Sequence, residues 1–321
     1  MDTCYVGIDL GGTNIKGGVV DPSGKVLCFE STATEAARGP AHVLDRIAAL
    51  VATVRDAAGV EWDSIAAVGI GSPGPLNTRT GVIHDTPNLP GWVNLPLADE
   101  VSRRCGYPVV VENDANAAAL AEAVVGAGKG LDCMLMLTLG TGIGGGIVIG
   151  GRVWHGADDH GGELGHISVC SDGARCNCGS IGCVEAYASA TGVVRRTVEA
   201  LAAGGKSYLK NAEKITAAKV FQAAAMGDEL AGRIVADTIV CLATAMGSLI
   251  NTFNPDMIVL FGGMTNAGEQ LFGPLLAEVA RRCFSIGALR CQIVRSQLGD
   301  HAGVIGAAIA ARQRLEEAAT A

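Results

Sequence analysis

Four side chains in the run 166–183, His166, Cys176, Cys178 and Cys183, make a complete donor set for one tetrahedral zinc ion. The C-x-C and C-x4-C spacings let a tight loop bring three thiols and an imidazole onto one ion. Glycines at 173, 179 and 182 supply the turns such a loop needs. The competing reading is three buried free cysteines beside a surface histidine, but thiols this close in a chain without an export signal have little other use. Four protein ligands close the shell, which makes the expected zinc structural rather than catalytic. Its expected effect is to fix where the neighbouring carboxylates of Glu163 and Glu185 point.

Three glycine turns could hold phosphates: Asp9-Leu10-Gly11-Gly12-Thr13, Leu139-Gly140-Thr141-Gly142-Ile143-Gly144 and Phe261-Gly262-Gly263-Met264. Glycine lets backbone N–H groups approach an anion, and a threonine hydroxyl adds a donor. Taken singly, each turn reads first as a plain hairpin, which uses positive φ. The G-x4-G-K-[ST] pattern is absent, and no G-x-G-x-x-G opens a helix in usable form, which argues against P-loop and dinucleotide-binding folds. Two hairpin turns in separate domains, plus a third glycine turn after a buried strand, match the nucleotide cleft of actin, hexokinase and Hsp70. Asp9 would then hold Mg²⁺ through water; its other expected role is to accept N–H bonds in its own turn. Lys16 either faces the phosphates or is an exposed strand lysine.

A third feature is Val111-Glu112-Asn113-Asp114-Ala115-Asn116, where a strand runs into a helix. Asn or Asp there caps the helix and suits its macrodipole. The same place puts a carboxylate at the carboxyl end of a strand, where ligands of α/β sheets gather. Helix N–H groups keep such a carboxylate ionised, so Asp114 could accept a proton. Phosphoryl transfer suits a weak base, because its transition state is loose and positioning outweighs basicity.

The elements that must position these groups follow from periodicity. Strands are expected at Cys4–Leu10, Ile15–Asp21, Lys25–Ser31, Ile65–Gly71 and Tyr107–Val111, with helices at Ala41–Ala58, Leu97–Cys105 and Asn113–Val125. Ser72–Asn94 reads as an irregular Pro/Gly/Asn-rich segment. A second set begins with strands Cys133–Leu139 and Ile147–Gly151, joined by a turn through Gly140–Gly146. Ala188–Phe253 reads as mostly helical; strands Met257–Phe261 and Cys291–Val294 and helices Gln270–Arg282 and Ala302–Glu317 complete the chain. The repeated order predicts a duplicated α/β unit whose halves touch and bound a cleft. The expected domains are 1–115, with the closing helix 302–321 packing back on it, and 116–301, carrying the metal loop.

Composition sets outer limits. The chain has 321 residues, a net charge of −8, 49% hydrophobic residues and eleven cysteines. That length allows two domains with substantial cores. The acidic balance without a basic cluster argues against nucleic acid. The uncharged stretches Cys133–Gly151 and Thr238–Pro255 read as buried sheet and buried helix, so no membrane partner is expected. The chain opens directly into a strand, without a signal peptide, and the odd cysteine count fits a reducing cytosol. Outside the metal loop, cysteines 4, 28, 105, 133, 170, 241, 283 and 291 read as small core residues.

Taken together, DLGGTNIKGGVVD, GIGSPGPLN, VENDANAAALAE, LTLGTGIGGGIVIGG, GGELGH and CNCGSIGCVEAYAS resemble the ROK family of sugar kinases and sugar-responsive repressors over nearly the whole chain. The resemblance implies an actin-like (ribonuclease H-like) two-domain α/β fold with an interdomain cleft, Mg²⁺-ATP as donor and a hexose as acceptor. It makes Asp114 the general base for the sugar 6-hydroxyl. Asn113, Glu163, His166 and Glu185 would bond the other hydroxyls, helped by Asn88 and the Gly71–Ser72 turn. His166 would have one ring nitrogen on zinc and the other toward the sugar. Repressors of the family carry a DNA-binding module before the first glycine turn, and Gly11 stands so near Met1 that the kinase branch is expected.

Asn88-Leu89-Pro90-Gly91-Trp92 and the 111–116 run look most like glucokinase-type members, which implies glucose as substrate. N-acetylglucosamine or N-acetylmannosamine kinases and a non-catalytic sugar sensor are the alternatives, as is polyphosphate for the donor. The resemblance also suggests a homodimer. His160, where many members have a small residue, is either a surface histidine or a sugar contact, and Trp92 is either a wall over the sugar or a buried loop aromatic.

Overall fold

The fold is that of a computed structural model of the 321-residue chain, described for residues 3–86, 89–284, 287 and 290–320. In chain order the elements begin β1 (Cys4–Leu10), β2 (Asn14–Val20), β3 (Val26–Ala33), α1 (Pro40–Ala58) and β4 (Ile65–Ser72). Next come β5 (Leu76–Asn77), β6 (Val82–Asp85), β7 (Val93–Pro96), α2 (Leu97–Cys105), β8 (Val109–Asn113) and α3 (Asp114–Val124). The second stretch is β9 (Cys133–Leu139), β10 (Ile143–Ile149), β11 (Arg152–Val153), α4 (Val184–Ala188), α5 (Ala190–Ala202), α6 (Ala217–Ala225) and α7 (Glu229–Phe253). It closes with β12 (Met257–Phe261), α8 (Glu269–Ala280), β13 (Gln292–Arg295) and α9 (Ala302–Thr320).

The chain divides into two compact units, Met1–Leu131 with Gly146–Gly162 and Gln297–Ala321, and Asp132–Gly145 with Glu163–Ser296. α3, the end of β10 from Gly146 and β11 therefore fall in the first unit, whereas a boundary at residue 115 assigns them to the second. The reason is close packing that local sequence does not display. A Cβ on Gly306 of α9 would stand 1.7 Å from the Ala117 carbonyl oxygen of α3, and one on Gly146 would stand 2.5 Å from the Ala119 methyl.

In the first unit the sheet order is β3-β2-β1-β4-β8, with β1, β4 and β8 parallel and β2 and β3 antiparallel. β1 and β4 are buried almost throughout, as strands covered on both faces must be. One face receives α1, whose Val43, Leu44, Ile47, Leu50, Val51 and Val54 recur at helical spacing and are all buried. The other face receives α9 so closely that a Cβ on Gly69 would fall 1.8 Å from the Ala307 carbonyl oxygen.

The segment read as irregular, Ser72–Asn94, instead contains β5 and β6, and with β7 they form a three-stranded antiparallel sheet. Its strands are too short, and too interrupted by turn residues, for a period of two to emerge. β9, β12 and β13, all of the second unit, run parallel in a sheet whose order is β11-β10-β9-β12-β13. β10 starts at Ile143, four residues earlier than expected, because Gly144, Gly145 and Gly146 are strand residues here rather than turn. α7 is long and apolar enough to cross a membrane, but most of its apolar stretch is buried against its own unit.

Candidate functional site

The residues singled out in the sequence fall into two groups, one in each unit. In the first unit, three parallel strands end at one edge and bring their last residues together. Asp9 of β1 lies beside Gly71 of β4, and Gly71 and Ser72 lie beside Glu112 and Asn113 of β8. A Cβ on Gly71 would stand 3.6 Å from Asp114 Cα, so that strand end passes close to the start of α3.

Capping at α3 is divided between two residues. Asn113 is the N-cap, its Oδ1 accepting from Ala115 N–H at 2.9 Å and Asn116 N–H at 3.2 Å. Asp114 is the first helical residue, half-buried, with Oδ1 accepting from Ala115 N–H at 2.8 Å. The cap role thus belongs to Asn113, and Asp114 projects its carboxylate at the positive end of the helix dipole.

Asp9 does not accept bonds from its own turn among the described residues. Its carboxyl is raised above the ordinary range by burial, with Lys16 opposing and Asp300 adding to the shift. Lys16 is half-buried and pairs with Asp300 at 3.1 Å, so it is neither a plain exposed lysine nor unengaged. The first glycine turn is tied by Gly11 N–H to the Asn14 carbonyl at 3.0 Å and by the Thr34 hydroxyl to the Gly11 carbonyl at 2.6 Å. Gly12 and Thr13 are exposed at its tip. Gly11 does not take left-handed backbone; a Cβ there would meet the Asn14 carbonyl oxygen at 2.8 Å, so close approach is what requires glycine.

Ser72 is fully buried, Trp92 is 1% exposed against its own unit, and His160 is exposed. Asn88 lies outside the described residues. Glu112, which sequence reasoning passed over, is buried and bonds His155, whose Nε2 lies 2.8 Å from Oε2. The signal available was its place directly before Asn113 and Asp114.

In the second unit the metal loop assembles as its spacing implies. The ligand atoms of His166, Cys176, Cys178 and Cys183 all lie within 4.8 Å of one another. Cys178 Sγ is 3.7 Å from Cys183 Sγ, and Cys176 Sγ is 3.7 Å from His166 Nδ1. Two thiolates held at about 2.3 Å on a tetrahedral ion stand about 3.8 Å apart, so these donors fit a metal of zinc's size. Burial pushes the Cys176 thiol up to about 12, while the Ser180 backbone N–H lowers Cys178. A cation would hold all of them as thiolates.

Gly179 and Gly182 take left-handed backbone with φ of 94° and 79°. Gly173 is required differently, since a Cβ there would strike the Tyr187 hydroxyl at 2.1 Å. Cys170 is exposed, and Cys28, Cys133, Cys241, Cys283 and Cys291 are half-buried; outside the loop only Cys4 and Cys105 are core residues. Cys170 serves the loop through its carbonyl, which accepts from Gly173 N–H at 3.2 Å.

The loop carries its carboxylates in two different ways. His166 turns Nδ1 toward the thiols and Nε2 toward Glu163, whose Oε2 is 3.9 Å away and largely exposed. Glu185 sits at the start of α4 but, among the described residues, bonds no N–H of the helix that follows. Its Oε2 accepts from Ile143 N–H at 2.8 Å, and its Oε1 lies 3.5 Å from Cys176 Sγ. One carboxylate therefore joins the metal loop to the Gly140–Thr141–Gly142 turn. A Cβ on Gly142 would stand 2.5 Å from Glu185 Oε2, and one on Gly262 (φ 105°) would stand 2.7 Å from the Leu139 carbonyl oxygen. The two glycine turns of this unit are thus stacked, with Thr141 exposed and Gly263 open to solvent on its Cβ side.

Known proteins place this arrangement. The model of the ROK family matches residues 5–314. A glucokinase of Thermotoga maritima is 40% identical over 97% of this chain and 98% of its own length. A ROK hexokinase from Thermus thermophilus superposes with a TM-score of 0.87 at 36% identity, covering 98% of this chain and 100% of the other. A ROK family glucokinase from Streptomyces griseus, solved with glucose and AMPPNP, gives a TM-score of 0.79 at 36% identity over 97% of this chain and 99% of the other. The fold is the actin-like α/β fold of these sugar kinases, and the chain belongs to the ROK family.

Proposed function

We propose that this protein is an ATP-dependent hexokinase of the glucokinase type, phosphorylating glucose on its 6-hydroxyl. The observation that carries the reading is Asp114. A carboxylate stands at the mouth of α3, on the edge where β1, β4 and β8 end together, in a chain whose full-length relatives are glucokinases.

Asp114 takes the proton of the 6-hydroxyl, and Asn113 with the Gly71–Ser72 strand end orients neighbouring hydroxyls, Asn88 assisting. In the second unit Glu163, His166 and Glu185 are assigned to further hydroxyls. The 3.9 Å separation of His166 Nε2 from Glu163, with Nδ1 on the thiol side, supports this division of the imidazole. Glu185 is already engaged with Ile143 N–H, so one of its oxygens fixes it in place. Gly11, Gly12, Thr13 and Lys16 in one unit, and Gly140, Thr141, Gly142, Gly262 and Gly263 in the other, are assigned to ATP. Asp9 would hold, through water, the Mg²⁺ carried with ATP, which would supply charge neutralisation for the transferred phosphoryl group.

The metal of the Cys/His loop is assigned as zinc with a structural role, supported by its complete four-donor set. A cytoplasmic homodimer completes the reading. The odd count of eleven cysteines supports the reducing compartment.

The test is a panel of glucose, mannose, fructose, N-acetylglucosamine and N-acetylmannosamine with Mg-ATP in a coupled ADP-release assay. Glucose should give the highest kcat/KM. Turnover of none of them would remove the kinase assignment, and preference for an N-acetylated sugar would correct the substrate.

A further inference from the structure

Glu112 is the buried neighbour of the proposed catalytic carboxylate, and its two oxygens are fully engaged. Its side chain is 6% exposed. Oε1 accepts from Asn113 N–H at 2.9 Å and from the Asn116 side-chain amide at 3.2 Å; Oε2 faces His155 Nε2 at 2.8 Å. One oxygen thus holds the residue before Asp114 and the residue two after it, spanning the turn from which Asp114 projects. The other oxygen is held by a partner from outside that turn, 43 residues further along the chain.

A buried carboxylate is costly unless both of its oxygens are hydrogen-bonded. The imidazole is the donor that serves Oε2. Beside it lies a cavity of about 300 Å³, lined in part by Thr78, Arg79, Arg152, Asp159 and Arg314. Asp159 is engaged by the Thr78 N–H and hydroxyl at 3.1 and 2.9 Å, and Arg152 pairs with Glu317. With His155 removed, water from this cavity would compete for Glu112, and the grip of its other oxygen on Asn113 and Asn116 would loosen.

We infer that His155 is a positioning residue for phosphoryl transfer: by holding Glu112, it fixes the turn that aims Asp114 at the sugar hydroxyl. This rests on the function proposed above. Small misplacement of a reacting group costs up to about 10²-fold in rate, whereas the turns assigned to ATP do not involve His155. The effect should therefore fall on kcat and leave KM for Mg-ATP unchanged.

The experiment is a double-mutant cycle read as kcat at saturating glucose and Mg-ATP, with melting temperature recorded for each variant. His155→Asn, whose amide is too short to reach Glu112, should lower kcat about 10-fold or more. His155→Gln, whose longer amide restores a donor, should stay within about threefold of wild type. In the Asp114→Ala background, His155→Asn should cost nothing further, because the group it aims is gone. Wild-type kcat in His155→Asn, or a full additional loss in the Asp114→Ala background, would overturn the positioning role. Undiminished turnover in Asp114→Ala alone would instead sink the proposed base.

Discussion

Glu122 is expected to contribute measurably to stability through three backbone N–H groups. This glutamate, near the end of α3, is 0% exposed. Its Oε2 accepts from Ala127 N–H at 2.9 Å, and its Oε1 accepts from Gln297 N–H and Leu298 N–H, each at 2.9 Å. Ala127 lies just before the chain first leaves the first unit at Leu131, and Gln297 is where it last re-enters. One carboxylate therefore fastens the chain beside two of its four crossings. Glu122→Ala would strand three backbone donors; at about 1 kcal/mol each for partly buried groups, the loss is roughly 2–4 kcal/mol. Against a typical total of about 5–15 kcal/mol, that is a large fraction. Glu122→Gln keeps an acceptor for Gln297 and Leu298 but turns an amide N–H toward that of Ala127, so its cost should be intermediate. For a unit of this size each kcal/mol shifts Tm by about 2–4 °C, so thermal melts followed by circular dichroism should show Glu122→Ala lower by roughly 4–16 °C. An alanine variant melting within a degree of wild type would refute the reasoning.

Two further outcomes follow from the metal loop and from His155. One zinc per chain is expected by elemental analysis of protein purified without chelators; Cys178→Ser, which removes a thiol 3.7 Å from Cys183, should lose tight zinc, expose 160–190 to protease and weaken glucose binding. Full occupancy in that variant would remove Cys178 from the ligand set. For His155, burial lowers the pKa but is outweighed by the hydrogen bond and charge of Glu112, with Asp159 adding and Arg314 opposing, so the net shift is upward. A raised native pKa gives stability that is complete below the unfolded value of about 6.5 and is lost as pH rises through the native one. Urea midpoints of wild type should fall across that window more than those of His155→Gln; identical slopes would contradict the assignment.

What could be read from the sequence depended on how local the determinant is. The candidate metal ligands are close in sequence, and their spacing brings the donors together. α1 was legible because six buried apolar residues recur on one face. Gly144, Gly145 and Gly146 read as turn because glycine is depleted in strands, yet they form part of β10, where α3 packs within reach of a missing Cβ. The membership of α3 in the first unit depends on α9, nearly two hundred residues away, and no periodicity encodes that contact. The His155–Glu112 and Glu122–Gln297 bonds were hidden for the same reason. The candidate base was visible as Asp114 in a strand–helix junction; that Asn113 takes the capping role required the dihedral angles and the N–H geometry.

The assignment of a general base is tested most directly by measuring glucose affinity and kcat side by side for Asp114→Ala, with Mg-ATP saturating. Glucose binding close to wild type by calorimetry, with kcat reduced by about 10²-fold or more, is the expected result. Turnover at the wild-type rate in that variant would contradict it.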